Sequence, residues 1–215
     1  MRTNPFFDSW LFVTGQTPGH AALGPWRFLF VAFTIGLILG SVGIAVAAWR
    51  RDPSQGASGV VIWLVRSLIG AMWLEGSLWK LPLPGGLPYW LGLMGQNAAF
   101  DAYGAVIQTV LLPNVLLIGV VIWLTETTLA VCLMLGFAVR AASLLGCAMA
   151  LNLWIGLFRY QPEWPWIYVF IALLHALFFV LRAGRALGLD ALARERITAC
   201  LERVPVLATL YRWAS

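Results

Sequence analysis

The chain has 215 residues, of which 61% are hydrophobic and only 11% are charged. A soluble globular domain carries about 25% charged residues, so this composition excludes that class and indicates a protein that crosses a membrane several times. The net charge of +5 is modest. The basic residues of the chain are distributed over the predicted loops and do not form one patch. This distribution also argues against nucleic-acid binding.

The N-terminal region, residues 1–59, contains an aromatic segment, a first predicted span and a polar linker. We expect the aromatic segment to form a short helix on the membrane surface or, alternatively, an ordered tail held by its neighbours, and to contact partner subunits through Phe6, Phe7 and Trp10. The first span is predicted over Trp26–Trp49, where several glycines indicate close contact with another helix. The linker that follows is rich in turn-forming residues.

The second predicted span, Val60–Leu81, is the helix around which we expect the others to pack. It carries three charged residues: Arg66, Glu75 and Lys80. A charge near the middle of a bilayer costs about 2.5–3.5 kcal/mol on insertion scales, so these side chains should face the protein interior. Lys80 lies at the outer end, where we expect it to extend toward the membrane interface.

An apolar outer loop, residues 82–114, separates the second span from the third. Prolines and glycines end the preceding helix. We therefore expect one or two interfacial helices or a re-entrant segment here, not a full span. The aromatic residues Tyr89, Trp90 and Phe100 of this loop are candidate partner-binding residues.

Three more spans are predicted before an amphipathic tail at residues 193–215. They are Val115–Phe137, Ala141–Phe158 and Trp166–Leu181, and they carry Glu126, Asn152 and His175 respectively. We expect Asn152 to form a hydrogen bond between helices. Most of the arginines fall on one side of the predicted topology, which by the positive-inside rule places the C-terminus in the cytoplasm and the N-terminus outside, with five crossings.

Arg66 and Glu126 are predicted to form an intramembrane ion pair. At about 1.5 Å per residue, their positions along the two helices differ by only about 7 Å in depth. In one interpretation this pair only locks two helices together. In another, Glu126, His175 and Arg66 are catalytic residues around a polar cavity that binds a quinone head group or passes protons, because a buried carboxyl and a histidine suit proton transfer. A path for a small solute is a further alternative, and the cysteine and histidine spacing predicts no metal site.

Three stretches of the sequence resemble the DoxX/DoxD family of membrane proteins. They are Arg66-Ser67-Leu68-Ile69-Gly70 with Gly76 to Leu81, the run from Glu126 to Gly136 with Arg140, and the most specific one, Ala183-Gly184-Arg185-Ala186-Leu187-Gly188-Leu189-Asp190-Ala191. The resemblance covers about residues 60–192. It implies an all-α integral membrane protein with a four-helix DoxX-like core, to which the first span is an addition.

Within that family the chain resembles the DoxD-type small subunit of thiosulfate:quinone oxidoreductase. This similarity implies a membrane subunit of a quinone-linked electron-transfer system in the inner (cytoplasmic) membrane of a bacterium or archaeon. It implies quinone as the ligand, no covalently bound cofactor, and membrane lipid and other membrane subunits as partners. The alternative is a non-catalytic accessory subunit of a larger respiratory or photosynthetic complex, which the apolar outer segments and the additional span favour.

Overall fold

The structure, a computed structural model, describes residues 5–164, 166–201 and 204–215. Within these residues every regular element is helical. The helices are α1 Pro5–Thr14, α2 Pro18–Ala22, α3 Arg27–Arg51, α4 Gly56–Leu78, α5 Leu87–Asn97, α6 Asp101–Val106, α7 Val115–Leu135, α8 Val139–Gly156, α9 Trp166–Leu181, α10 Leu189–Leu201 and α11 Pro205–Ala214.

Among the described residues, four helices are long and apolar enough to cross a membrane: α3, α4, α7 and α8. The expected multi-pass, all-α membrane protein is therefore confirmed at this level. Helix α9 is apolar but has only 16 residues. At about 1.5 Å per residue it is shorter than the hydrocarbon core of about 30 Å, so the fifth crossing stays a prediction.

The second span lies a few residues earlier in the chain than Val60–Leu81. A short 3₁₀ turn at Pro53–Gln55 precedes α4, and the side chain of Asp52 accepts a hydrogen bond from the Ser54 amide at 3.1 Å. This hydrogen bond caps the 3₁₀ turn, and α4 begins directly after it, at Gly56. The helix ends at Leu78, and the chain turns there before it reaches Pro82.

The outer loop forms short helices, as expected for a segment that is not a full span. Helix α5 is followed by α6, which continues into a π-helical turn at Ile107–Leu111. The corner between α5 and α6 is hydrogen-bonded to the end of α8, where the Ala99 amide donates to the Ile155 carbonyl at 2.8 Å. Leu91, Met94 and Ile107 of these helices belong to one buried hydrophobic cluster.

The chain divides into two compact units. The first comprises Met1–Phe33, Leu74–Thr127 and Ala148–Ala172, and the second comprises Thr34–Trp73, Thr128–Cys147 and Leu173–Ser215. Each unit therefore combines segments that are distant in sequence. The division of the chain at residues 59 and 192 stays a prediction from the sequence.

In the second unit, α4 packs against the end of α7 at a glycine. A Cβ atom added to Gly70 would lie 2.7 Å from Cγ of Met134, 3.0 Å from its backbone nitrogen and 3.1 Å from Cβ of Leu133. The backbone of α7 cannot move aside as a flexible side chain could. Gly70 thus permits a close helix contact of the kind that small residues favour in membrane proteins.

We expect Gly70→Ala to lower the free energy of unfolding by about 1–3 kcal/mol, because the new methyl group overpacks this contact. The measurement is denaturant unfolding of the purified protein in detergent micelles. The matched control is Gly36→Ala in α3, where an added Cβ meets nothing within 4 Å. Equal effects of the two substitutions would contradict a specific contact at Gly70.

Candidate functional site

Lys80 and Glu126 form a buried ion pair in the first unit. Nζ of Lys80 lies 2.5 Å from Oε2 of Glu126, and the two side chains are only 4% and 7% exposed. The same Nζ donates a hydrogen bond to the Gly76 carbonyl at 2.6 Å and lies 4.2 Å from the centre of the Trp79 ring. The expectation that Lys80 extends to the interface is therefore wrong, because its side chain folds back toward the carboxylate of α7 instead.

Arg66, in the second unit, binds main-chain carbonyls. It is fully buried, and its guanidinium donates hydrogen bonds to the Leu133 carbonyl and, at 3.4 Å, to the Ala186 carbonyl. Leu133 belongs to the last turn of α7, whose carbonyls have no partner within the helix and carry partial negative charge. Since Glu126 pairs with Lys80 and Arg66 binds these carbonyls, the predicted Arg66–Glu126 pair is wrong.

The end of α7 has the geometry of a glycine-terminated helix. Gly136 has a positive φ of 70°, and the Phe137 amide donates to the Cys132 carbonyl at 2.9 Å, as in a Schellman motif. A Cβ atom at Gly136 would lie 2.6 Å from Nη1 of Arg66 and 2.5 Å from Cα of Gly188. The glycine is thus required both for the turn and for the approach of the arginine.

Asp190 is the residue that sequence reasoning missed. Its buried carboxylate accepts hydrogen bonds from the amides of Ala138 and Val139, at 3.0 and 3.3 Å, and from the Tyr211 hydroxyl at 3.1 Å. Helix α8 begins at Val139, so Asp190 satisfies free amides at its N-terminus from a distant part of the chain. Burial raises the pKa of the Asp190 carboxyl, and these three hydrogen bonds oppose the rise.

The glycines around Asp190 explain the spacing of the most specific sequence stretch. A Cβ atom at Gly184 would lie 2.2 Å from Oδ2 of Asp190, and one at Gly188 would lie 2.2 Å from the Gly184 carbonyl oxygen. Both glycines therefore allow the chain to fold closely around the carboxylate. The signal was present in the sequence as a carboxylate in a glycine-containing turn, but its partners on α8 are distant in the chain.

His175 is fully buried and contacts two other helices. Nε1 of Trp73 in α4 donates a hydrogen bond to Nε2 of His175 at 2.9 Å. Gly146 of α8 lies against the imidazole, where an added Cβ would be 2.2–2.6 Å from ring atoms. Within the described residues Nδ1 of His175 has no hydrogen-bond partner.

The remaining intramembrane candidates also have contacts within the chain. Asn152 accepts a hydrogen bond from the Tyr103 hydroxyl, which joins α8 to α6. Glu75 is half-buried, and its charge acts on both Lys80 and Glu126.

Most of the predicted partner-binding residues are exposed. They are Phe7, Trp10, Tyr89 and Phe100. Trp90 is half-buried beside Tyr89, with 5.8 Å between the ring centres, while the side chain of Phe6 lies outside the described residues. The exposed aromatic residues are available for lipid or protein contacts.

Two cavities lie away from the predicted catalytic residues. One, of about 360 Å³, is lined by arginines and acidic residues near the end of α3, and the other, of about 520 Å³, is lined by His20, Trp79 and neighbouring loop residues. Glu126, His175 and Arg66 line neither of them. Among the described residues, no group of three or more histidine, cysteine or acidic side chains could hold a metal ion.

No family model, curated protein or solved structure matches the chain. The resemblance to the DoxX/DoxD family therefore stays a prediction.

Removing one partner of the Lys80–Glu126 pair should destabilise the protein. We expect Glu126→Gln to lower the free energy of unfolding by about 3–5 kcal/mol, because the buried ammonium group loses its counter-charge. The double variant Lys80→Met/Glu126→Leu should regain most of this loss, since no charge is then left unpaired. Denaturant unfolding of the wild-type protein and the two variants in detergent measures both effects.

The control is the exposed ion pair between Arg159 and Asp101, whose side chains are 53% and 91% exposed. Asp101→Asn should cost less than about 1 kcal/mol, as is usual for exposed pairs. A similar small loss for Glu126→Gln would contradict the role assigned to the buried pair.

Gly146→Ala should displace the imidazole of His175 and break its hydrogen bond to Trp73. We expect a loss of about 1–3 kcal/mol in the free energy of unfolding, typical of overpacking. In the His175→Ala background the same substitution should cost far less, because the clash is absent. Thermal unfolding of the four proteins measures the coupling, and additive losses would show that the two residues do not interact.

Proposed function

We propose that this chain is a non-catalytic, multi-pass membrane subunit that helps to assemble a larger electron-transfer complex. One observation carries the proposal: the charged groups buried in its helical part are occupied within the chain. Lys80 pairs with Glu126, and Arg66 binds carbonyls at the end of α7. A catalytic or transport site needs polar groups that remain accessible to a substrate, whereas these groups hold helices together.

The exposed aromatic side chains support an assembly role. Phe7 and Trp10 on α1, and Tyr89 and Phe100 in the outer loop, are each about half exposed or more. Large aromatic residues are enriched both at protein interfaces and at the membrane–water interface. They therefore offer surfaces for neighbouring subunits and for lipid.

We further infer a topology with five crossings, in which α9 is the fifth. The arginine distribution supports an external N-terminus and a cytoplasmic C-terminus. The family resemblance of the sequence favours the inner membrane of a bacterium or archaeon. The short α9 could span the membrane if the flanking tryptophan and arginine side chains lie at the two interfaces, or if the bilayer is locally thinner.

A second candidate function is a quinone-binding subunit, and the orphan nitrogen of His175 favours it. Because Nε2 accepts from Trp73, the neutral imidazole carries its proton on Nδ1. This N–H has no partner among the described residues and could donate to a quinone carbonyl. The similarity to subunits of thiosulfate:quinone oxidoreductase also supports this candidate.

A His175→Asn variant distinguishes the two functions. Membranes from cells that lack the chain are complemented with wild-type protein or with the variant. The amount of the assembled complex is then measured by native electrophoresis, and quinone reduction with thiosulfate as donor is measured per assembled complex. For an assembly subunit we expect loss of the chain to lower the amount of the complex, while the variant retains the activity of each complex that forms.

Two results would contradict the assembly role. One is a chain that migrates alone, near its own mass of 23.7 kDa, in mild detergent extracts of native membranes. The other is a normal amount of complex whose activity is abolished by His175→Asn. The second result, together with quinone bound in stoichiometric amount to the purified protein, would establish the quinone-binding function.

A further inference from the structure

A polar cavity of about 360 Å³ lies at one end of α3, in the second unit. Its walls come from the end of α3, the turn at Pro53–Gln55, the turn at Ala183–Arg185 and α10. Three arginines line it: Arg51, Arg185 and Arg194. The volume falls within the range of about 300–1,000 Å³ that is usual for small-molecule sites.

The acidic residues of the cavity are already occupied by donors of the chain. Asp190 accepts hydrogen bonds from two backbone amides and the Tyr211 hydroxyl. Asp52 accepts hydrogen bonds from the Ser54 amide and hydroxyl. No ion pair between these carboxylates and a lining arginine is present among the described residues. The positive charge of the cavity is therefore not matched by close contacts to its acids.

The arginines are held in place by main-chain and hydroxyl oxygen atoms. Arg51 donates to the Leu192 carbonyl at 3.0 Å, Arg185 to the main-chain oxygen of Ser215 at 3.4 Å, and Arg194 to the hydroxyl of the same serine at 3.1 Å. Each guanidinium has five N–H donors, and the hydrogen bond described here uses only one of them. The hydrogen bonds thus partly fix the positions of the three guanidinium groups before a ligand binds.

Crowding of positive charge is also visible at Arg185. Burial, and then the neighbouring charges of Arg194 and Arg182, lower the pKa of its guanidinium, while the charge of Asp190 partly opposes this shift. A bound anion would relieve this repulsion. Guanidinium groups bind phosphate oxygens through paired, charge-assisted hydrogen bonds, which makes a phosphate group a suitable partner.

The place of the cavity in the fold fits a ligand at the membrane surface. Helix α3 is one of the long apolar helices and ends at Arg51, while the apolar helix α9 ends at Leu181, just before the turn that carries Arg185. The ends of membrane-spanning helices lie at the level of the lipid head groups. We propose that this cavity binds a phosphate group, carried by an anionic lipid head group or free in solution, through Arg51, Arg185 and Arg194.

The test measures binding to the purified full chain in a neutral detergent. Lipid binding is followed by native mass spectrometry with phosphatidylglycerol, with zwitterionic phosphatidylcholine as comparison, and binding of inorganic phosphate is followed by thermal shift. Saturable binding of phosphatidylglycerol alone identifies a lipid site, and binding of inorganic phosphate alone identifies a site for a soluble anion. Binding of both shows that the phosphate group is sufficient.

Arg194→Gln should weaken binding by about tenfold or more, as expected for the loss of a charge-assisted hydrogen bond. The matched control is Arg50→Gln, which removes the same charge from an exposed neighbour of Arg51 that does not line the cavity. This control should change the affinity by less than about twofold, because exposed charges are screened. Arg185→Gln provides a second variant if Arg194→Gln does not fold.

Two outcomes would overturn the proposal. One is the absence of saturable binding of either probe to the wild-type protein. The other is an equal loss of affinity in Arg50→Gln and in the cavity variants, which would indicate diffuse electrostatic attraction instead of a site.

Discussion

The structure depends on the requirement that every charge buried in an apolar environment has a partner. Lys80 meets this requirement with the carboxylate of Glu126, which lies on another helix. The attraction is strong in surroundings that exclude water, but both groups lose their hydration when they are buried. Such a pair therefore mainly determines which faces of the two helices pack together, since any other packing would leave a buried charge without a partner.

Arg66 meets the same requirement in a different way. It binds carbonyls at the end of α7, where the helix has free acceptors and partial negative charge. Asp190 performs the complementary task at the start of α8, where free amides need an acceptor. Arg66 thus satisfies carbonyls at the end of α7, and Asp190 satisfies amides at the start of α8. The turn between these two helix ends, which contains Gly136, can therefore be buried.

These contacts bear directly on function. An ionisable group inside a membrane protein is by default a candidate for proton or substrate chemistry. Here Lys80, Glu126, Arg66 and Asp190 all have short contacts within the chain, and those contacts account for their burial. In the described part of the chain, Nδ1 of His175 has no hydrogen-bond partner, and neither has Nε of Arg66. The free Nδ1 of the imidazole is why a quinone-binding function remains the second candidate.

The sequence by itself determined the class of protein, the position of the long apolar helices to within a few residues, and the short helices of the outer loop. These features follow from composition, hydrophobic length and the prolines and glycines that end helices. Only the tertiary structure decided that Glu126 pairs with Lys80 and not with Arg66. Positions along two helices give the difference in depth between side chains, but not the rotation of each helix or the path of a turn. The role of Asp190 was likewise decided by tertiary structure, because the amides it caps lie about fifty residues earlier in the chain.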